Sequence, residues 1–141
     1  MDRLILDQKL ESLRRCVTRI DEKRPADFSA LVTDDDLQDI LVLNLTRAVQ
    51  LCVDIGSHVV SASDGPAPQT MGEVFDTLKM LGVISTGTCQ EMRKAVGFRN
   101  IAVHNYETID WRIVFALCEK APVDFRKFAS EVLTFVGDDR G

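Results

Sequence analysis

Apolar residues return at three- and four-residue steps along most of this chain, and no useful run shows the two-residue alternation of a half-buried strand. That periodicity restricts the fold to helices packed through apolar stripes. Residues 2–21 place Leu6, Leu10, Leu13, Val17 and Ile20 on one side and Arg14, Arg15 and Arg19 toward the other, and Pro25 ends the segment. Asp34, Asp35 and Asp36 open a long second helix, since acidic groups suit the positive end of a helix dipole. Its stripe of Leu41, Leu45, Ala48, Cys52, Ile55 and Val59 carries it to about residue 62.

The stretch 61–70 (SASDGPAPQT) reads as a loop, followed by a shorter helix over about 71–82 that Gly82 stops. Thr88 and Glu91 have the spacing of a capping box, which predicts a fourth helix starting there and running toward residue 104. Asp110 caps a last helix carrying Ile113, Leu117, Phe125, Phe128, Val132 and Phe135, which Pro122 should kink or divide. Residues from about 137 to 141 read as a disordered tail. The expectation is an all-α antiparallel bundle of four to five helices, one domain over 1–141.

Composition narrows the function classes. No apolar run is expected to span a bilayer and no signal-peptide core is visible, which predicts a cytoplasmic, soluble protein with no membrane partner. A formal net charge of −5 argues against coating nucleic acid by bulk electrostatics, so contact with nucleic acid requires a local site. Cys16, Cys52, Cys89 and Cys118 form no C-x-x-C pair and sit among apolar neighbours, the pattern of reduced core thiols. No metal site or cofactor is implied.

The chain has two histidines, and His104 falls in the segment Arg99-Asn100-Ile101-Ala102-Val103-His104-Asn105-Tyr106. Residues 92–106 also hold Arg93 and Lys94 and no acid, a local charge of +3. An imidazole that moves protons near neutral pH, a guanidinium fork and a phenol make a toolkit for phosphodiester chemistry. On a regular helix Arg99 and His104 lie about 140° apart, so they do not converge on one small ligand from an unbroken helix. Either the helix breaks between them, or a two-fold mate brings a second pair to the same cleft. Spacing alone leaves open an exposed helix end with a solvated Arg and His: 11 arginines and 2 histidines in 141 positions give one such separation about 0.16 times by chance.

RNIAVHNY fits the R-x4-H-x-Y motif of the HEPN (higher eukaryotes and prokaryotes nucleotide-binding) superfamily and resembles its HepT toxin branch. ILVLNLTRAVQLCVDIGSHV at 40–59 resembles the second helix of those proteins, and MRKAVGFRNIAVHNY at 92–106 their motif segment. With the helix order, the likeness covers about residues 4–136.

The resemblance implies an all-helical homodimer whose paired motifs line one cleft, acting as a metal-independent endoribonuclease toxin beside a minimal nucleotidyltransferase antitoxin. By that likeness Arg99 stabilises the scissile phosphate, and His104 is the acid and base that helps the ribose 2′-OH attack its own 3′-phosphate. Asn100 supports the site, and Tyr106 accepts AMP from the partner, which silences the toxin. DNA lacks the internal nucleophile, so RNA is the expected substrate.

Asn44, Arg47, Asp54 and His58 share an arc of about 80° on the second long helix. They read either as supporting groups on the far wall of the cleft or as a hydrogen-bonded polar seam between helices, with His58 the more structural. The Arg14, Arg15, Arg19, Lys23, Arg24 series reads as a solvated face that could also help hold RNA. The alternative function is a non-catalytic helical subunit that binds nucleotide or substrate for a nucleotidyltransferase, and a purely structural bundle is the third reading.

Overall fold

A computed structural model describes residues 2–137. Its α-helices are α1 (Arg3–Lys23), α2 (Phe28–Val32), α3 (Asp35–Ser61), α4 (Met71–Met80), α5 (Thr86–His104) and α6 (Trp111–Val136), with a 3-10 turn at Tyr106–Thr108 before α6 and no strand among the described residues. Five helices of ten residues or more form the all-α bundle expected. The five-residue α2 is the element that periodicity missed, because one turn shows no period. The expected tail, beyond Gly137, lies outside the described residues.

Side chains start most of these helices. Asp2 accepts from the backbone N–H of Leu4 and Ile5, Asp34 from Leu37, Thr70 from Glu73, and Asp110 from Arg112, each satisfying donors that have no partner within the helix. The expected capping box at Thr88 is corrected. Ser85 is the N-cap of α5, its Oγ accepting from Thr88 N at 3.2 Å, so the helix starts two residues earlier. Thr88 and Glu91 are drawn away to α6 instead: Thr88 Oγ1 donates to Glu131 Oε2 at 2.5 Å, and Glu91 pairs with Lys120.

Gly82, at φ +77, ends α4 with a Schellman arrangement: Gly82 N donates to Lys79 O at 3.0 Å and Val83 N to Leu78 O at 2.9 Å. Pro122 does not divide the last helix; α6 runs 26 residues with Pro122 on its buried side.

α3 is the central element and packs against every other α-helix. It corrects the expectation about apolar runs: with 27 residues and a mean hydropathy of 1.3 in its most apolar window, it is long and apolar enough to cross a bilayer. Burial of 56% of that window inside the bundle accounts for the composition, as a helix surrounded by neighbours is apolar on most sides. Gly56 lets α4 approach closely; a Cβ there would meet Val74 Cγ1 at 2.6 Å and Leu78 Cδ1 at 2.9 Å. Phe75 and Phe128 meet edge to face at 5.7 Å in the core, with Phe125 equally buried. Phe135 belongs to the surface, 52% exposed. All four cysteines are free and buried, and burial raises the Cys52 thiol well above its ordinary pKa.

Candidate active site

The motif sits at the C-terminal end of α5, and α6 and α4 hold that helix in place. At its start, Glu131 of α6 accepts from Ser85 N at 2.5 Å as well as from Thr88. At its middle, Lys120 of α6 holds Glu91, whose carboxyl is kept below the usual range by that hydrogen bond. On the other side Arg93 donates to Asp76 of α4 at 2.6 Å. These contacts revise the local charge. Arg93 is paired with Asp76 and Lys94 with Glu91 at 3.5 Å, so Arg99 is the guanidinium of the basic segment left without a carboxylate partner among the described residues.

α5 is unbroken through His104, its last helical residue, before Asn105 turns the chain at φ −151. A helix break between Arg99 and His104 is therefore excluded. The two side chains leave the helix about 140° apart, and Asn100, about 100° from Arg99, lies in the arc between them. Asn100 Oδ1 accepts from Arg99 Nη1 at 3.3 Å, which draws the guanidinium toward the His104 side. Arg99 is half-buried while Asn100 and His104 are exposed, and Ile101 and Val103 between them leave 48% and 51% of their surface in water. Neither of the two grooves described below is lined by Arg99 or His104.

Tyr106 lies on the turn that follows. Its hydroxyl donates to Asp39 Oδ1 at 2.7 Å, and its ring meets Trp111 edge to face at 6.0 Å. Partial burial, then the hydrogen bond to Asp39 and the charges of Asp39 and Asp35, push the phenol up to about 12. Sequence reasoning missed Asp39. The signal available was an acid within the largely apolar stretch QDILVLNL, one turn after the acids that start the helix.

The polar arc of α3 separates into different roles. Asn44, Arg47 and Asp54 line a groove of about 630 Å³ between α1 and α3, together with Arg15, Arg19 and Gln50. Asn44 is buried and donates to Ile40 O at 2.8 Å, and Asp54 accepts from Gln50 Nε2 at 2.9 Å and faces Lys9 at 3.8 Å. His58 lies outside the groove, its Nε2 2.9 Å from the carbonyl oxygen of Asp2, which ties the end of α3 to the start of α1. Within one protomer no hydrogen bond joins these four residues to Arg99 or His104. A second groove, about 450 Å³ between α1 and α6, contains no motif residue.

Residues 9–132 match the family model described as ribonuclease HepT-like. The mRNA nuclease HepT of Shewanella oneidensis is 32% identical over 124 residues, covering 88% of this chain and 92% of that protein. Among solved structures, the tri-AMPylated Shewanella oneidensis HEPN toxin in complex with MNT antitoxin superposes with a TM-score of 0.85 at 31% identity, covering 91% of this chain and 96% of that one. A toxin–antitoxin structure with AMP-PNP gives a TM-score of 0.85 at 30% identity, covering 92% and 98%.

Proposed function

This chain belongs to the HepT-like ribonuclease family, and from that premise we propose that it is the toxin of a toxin–antitoxin pair, cutting RNA with Arg99 and His104. The observation that carries this reading is the placement of Arg99, Asn100 and His104 at one solvent-facing helix end, with Tyr106 on the next turn.

His104 takes the proton of a ribose 2′-OH, and that oxygen attacks the adjacent phosphorus. The bond to the 5′-oxygen of the next nucleotide breaks, and that oxygen receives a proton. The products are a 2′,3′-cyclic phosphate and a free 5′-hydroxyl. Arg99 meets the charge gathering on the non-bridging oxygens with a fixed fork, and the side-chain carbonyl of Asn100 steadies that fork. This assignment needs no metal.

Because Arg99 and His104 diverge on an unbroken helix, the working cleft is formed by two protomers about a two-fold axis, Arg99 of each serving beside His104 of the other. Ile101 and Val103, exposed on the same helix end, supply apolar surface for that pairing. A partner nucleotidyltransferase antitoxin transfers the AMP moiety of ATP to the Tyr106 oxygen, pyrophosphate leaving and the phenol proton passing to Asp39. The added nucleotide fills the cleft, and its phosphate occupies Arg99.

The test is RNA cleavage in EDTA, with intact mass, on protein made with and without the partner. Cleavage by unmodified protein, lost in His104→Ala and silenced as AMP masses appear on Tyr106, supports the assignment. An unmodified dimer that cuts no RNA overturns it in favour of a nucleotide-binding subunit, for which nucleotide affinity is the next measurement. A fully active monomer removes the shared cleft.

A further inference from the structure

We propose that the groove between α1 and α3 holds the phosphate backbone of the RNA strand as it leaves the motif, with Arg15, Arg19 and Arg47 as its contacts. This inference rests on the ribonuclease reading above and extends it to how the strand is held.

The register of the two helices sets the direction. His58 meets Asp2, and Lys9 faces Asp54, so α1 runs antiparallel to α3 and its C-terminal half lies beside the N-terminal half of α3. Arg19 therefore falls at the Ile40–Asn44 end of the groove. That end is one residue from Asp39, which accepts the Tyr106 hydroxyl. Arg19 stands at the motif end and Arg15 and Arg47 along the middle, while the groove's carboxylate, Asp54, lies at the far end, engaged by Gln50 and Lys9.

The charge in the groove is available to a ligand. Arg47 is exposed and has no carboxylate partner among the described residues. Arg15 faces Glu11 at 3.5 Å and Arg19 faces Glu22 at 3.8 Å, each within its own helix and with side chains 75% and 45% exposed. Such exposed pairs contribute little and give way readily to phosphate oxygens. On a chain of net charge −5, three arginines lining one groove are a local exception, the kind of site this charge demands for nucleic acid. The α3 wall from Ile40 to Asp54 runs about 21 Å at 1.5 Å per residue, longer than a mononucleotide and suited to several consecutive phosphates. Leu43, 47% exposed on that wall, offers an apolar surface to a base.

The test compares the His104→Ala chain with the same chain carrying Arg15→Gln, Arg19→Gln and Arg47→Gln, binding a labelled single-stranded RNA at several salt concentrations. A phosphate contact to a single strand contributes about 0.7 to the slope of log affinity against log salt. The triple variant is expected to lose about 2 from that slope and at least tenfold in affinity near physiological salt. In the His104-containing chain, the three substitutions should raise KM for a long RNA while leaving turnover of a dinucleotide, too short to reach the groove, unchanged.

Equal slopes and equal KM values overturn the proposal. So does loss of dimerisation in the triple variant on sizing, since the groove would then be covered by a second copy. Absence of RNA binding by the His104→Ala parent, together with no dinucleotide cleavage by the unsubstituted chain, would instead bring down the ribonuclease reading itself.

Discussion

Replacing Asp39 with Asn should lower the titration midpoint of Tyr106, the single tyrosine of the chain. The Tyr106 hydroxyl donates to Asp39 Oδ1 at 2.7 Å, and the phenol stands at about 12 rather than its ordinary 10. Asn keeps an acceptor oxygen and nearly the same volume but removes the charge that penalises tyrosinate. The burial contribution, the largest cause, remains, so the midpoint should fall below about 12 while staying above the ordinary 10. The difference between 10 and 12 is nominally about 2.7 kcal/mol. With 39% of Tyr106 exposed, solvent screening reduces it to about 1 kcal/mol.

The sign follows from a folded-state pKa raised above the unfolded one. The stabilisation is fully present below about pH 10 and is lost as pH rises through about 12. Tyrosinate absorbance during an alkaline titration, with Tyr106→Phe as the blank, reads the midpoint. Denaturant unfolding on either side of that window reads the stability. Trp111, in edge contact with Tyr106, gives an independent signal because a tyrosinate beside it quenches its emission. An Asp39→Asn midpoint that stays at about 12 refutes the argument. The same bond bears on the AMP transfer proposed above: the phenol donates to a carboxylate that can take its proton when the oxygen attacks phosphorus. Asp39→Asn should therefore slow modification without abolishing it, whereas Tyr106→Phe should abolish it.

Three further outcomes follow from packing. Gly56→Ala should destabilise the fold by about 1–3 kcal/mol in denaturant unfolding, since its Cβ would press on Val74 and Leu78. Gly97→Ala should raise the stability of the isolated protomer by about 0.5–1 kcal/mol, since nothing lies within 4 Å of a Cβ there and α5 gains a better helix former; weaker dimerisation in this variant would place Gly97 in the two-fold interface. Glu131→Ala removes both acceptors that anchor the start of α5 to α6, and a loss of about 1–2 kcal/mol is expected, with faster amide exchange over residues 85–89.

The long helices were legible in the sequence because apolar spacing, capping residues and the breaker loop at 61–70 all act over a few residues. Asp34 and Asp110 cap where local chemistry predicts. Thr88 and Glu91 were misread because their partners, Glu131 and Lys120, lie 43 and 29 residues away, and a local rule has no access to competitors at that distance. The same limit hid Asp39, an acid given meaning by a tyrosine 67 positions later. It also hid the pairing of Arg93 with Asp76, 17 positions earlier on α4.

The order of helices, the candidate residues Arg99, His104 and Tyr106, and the angle between the first two belong to the sequence, since helix geometry converts spacing into direction. Tertiary packing decided that α5 continues unbroken through the motif, that His58 serves the start of α1, and that Arg47 joins Arg15 and Arg19 along one groove. Each of these depends on which helices become neighbours, and that is settled by burying α3 among all the others, a property of the whole apolar surface rather than of any local segment.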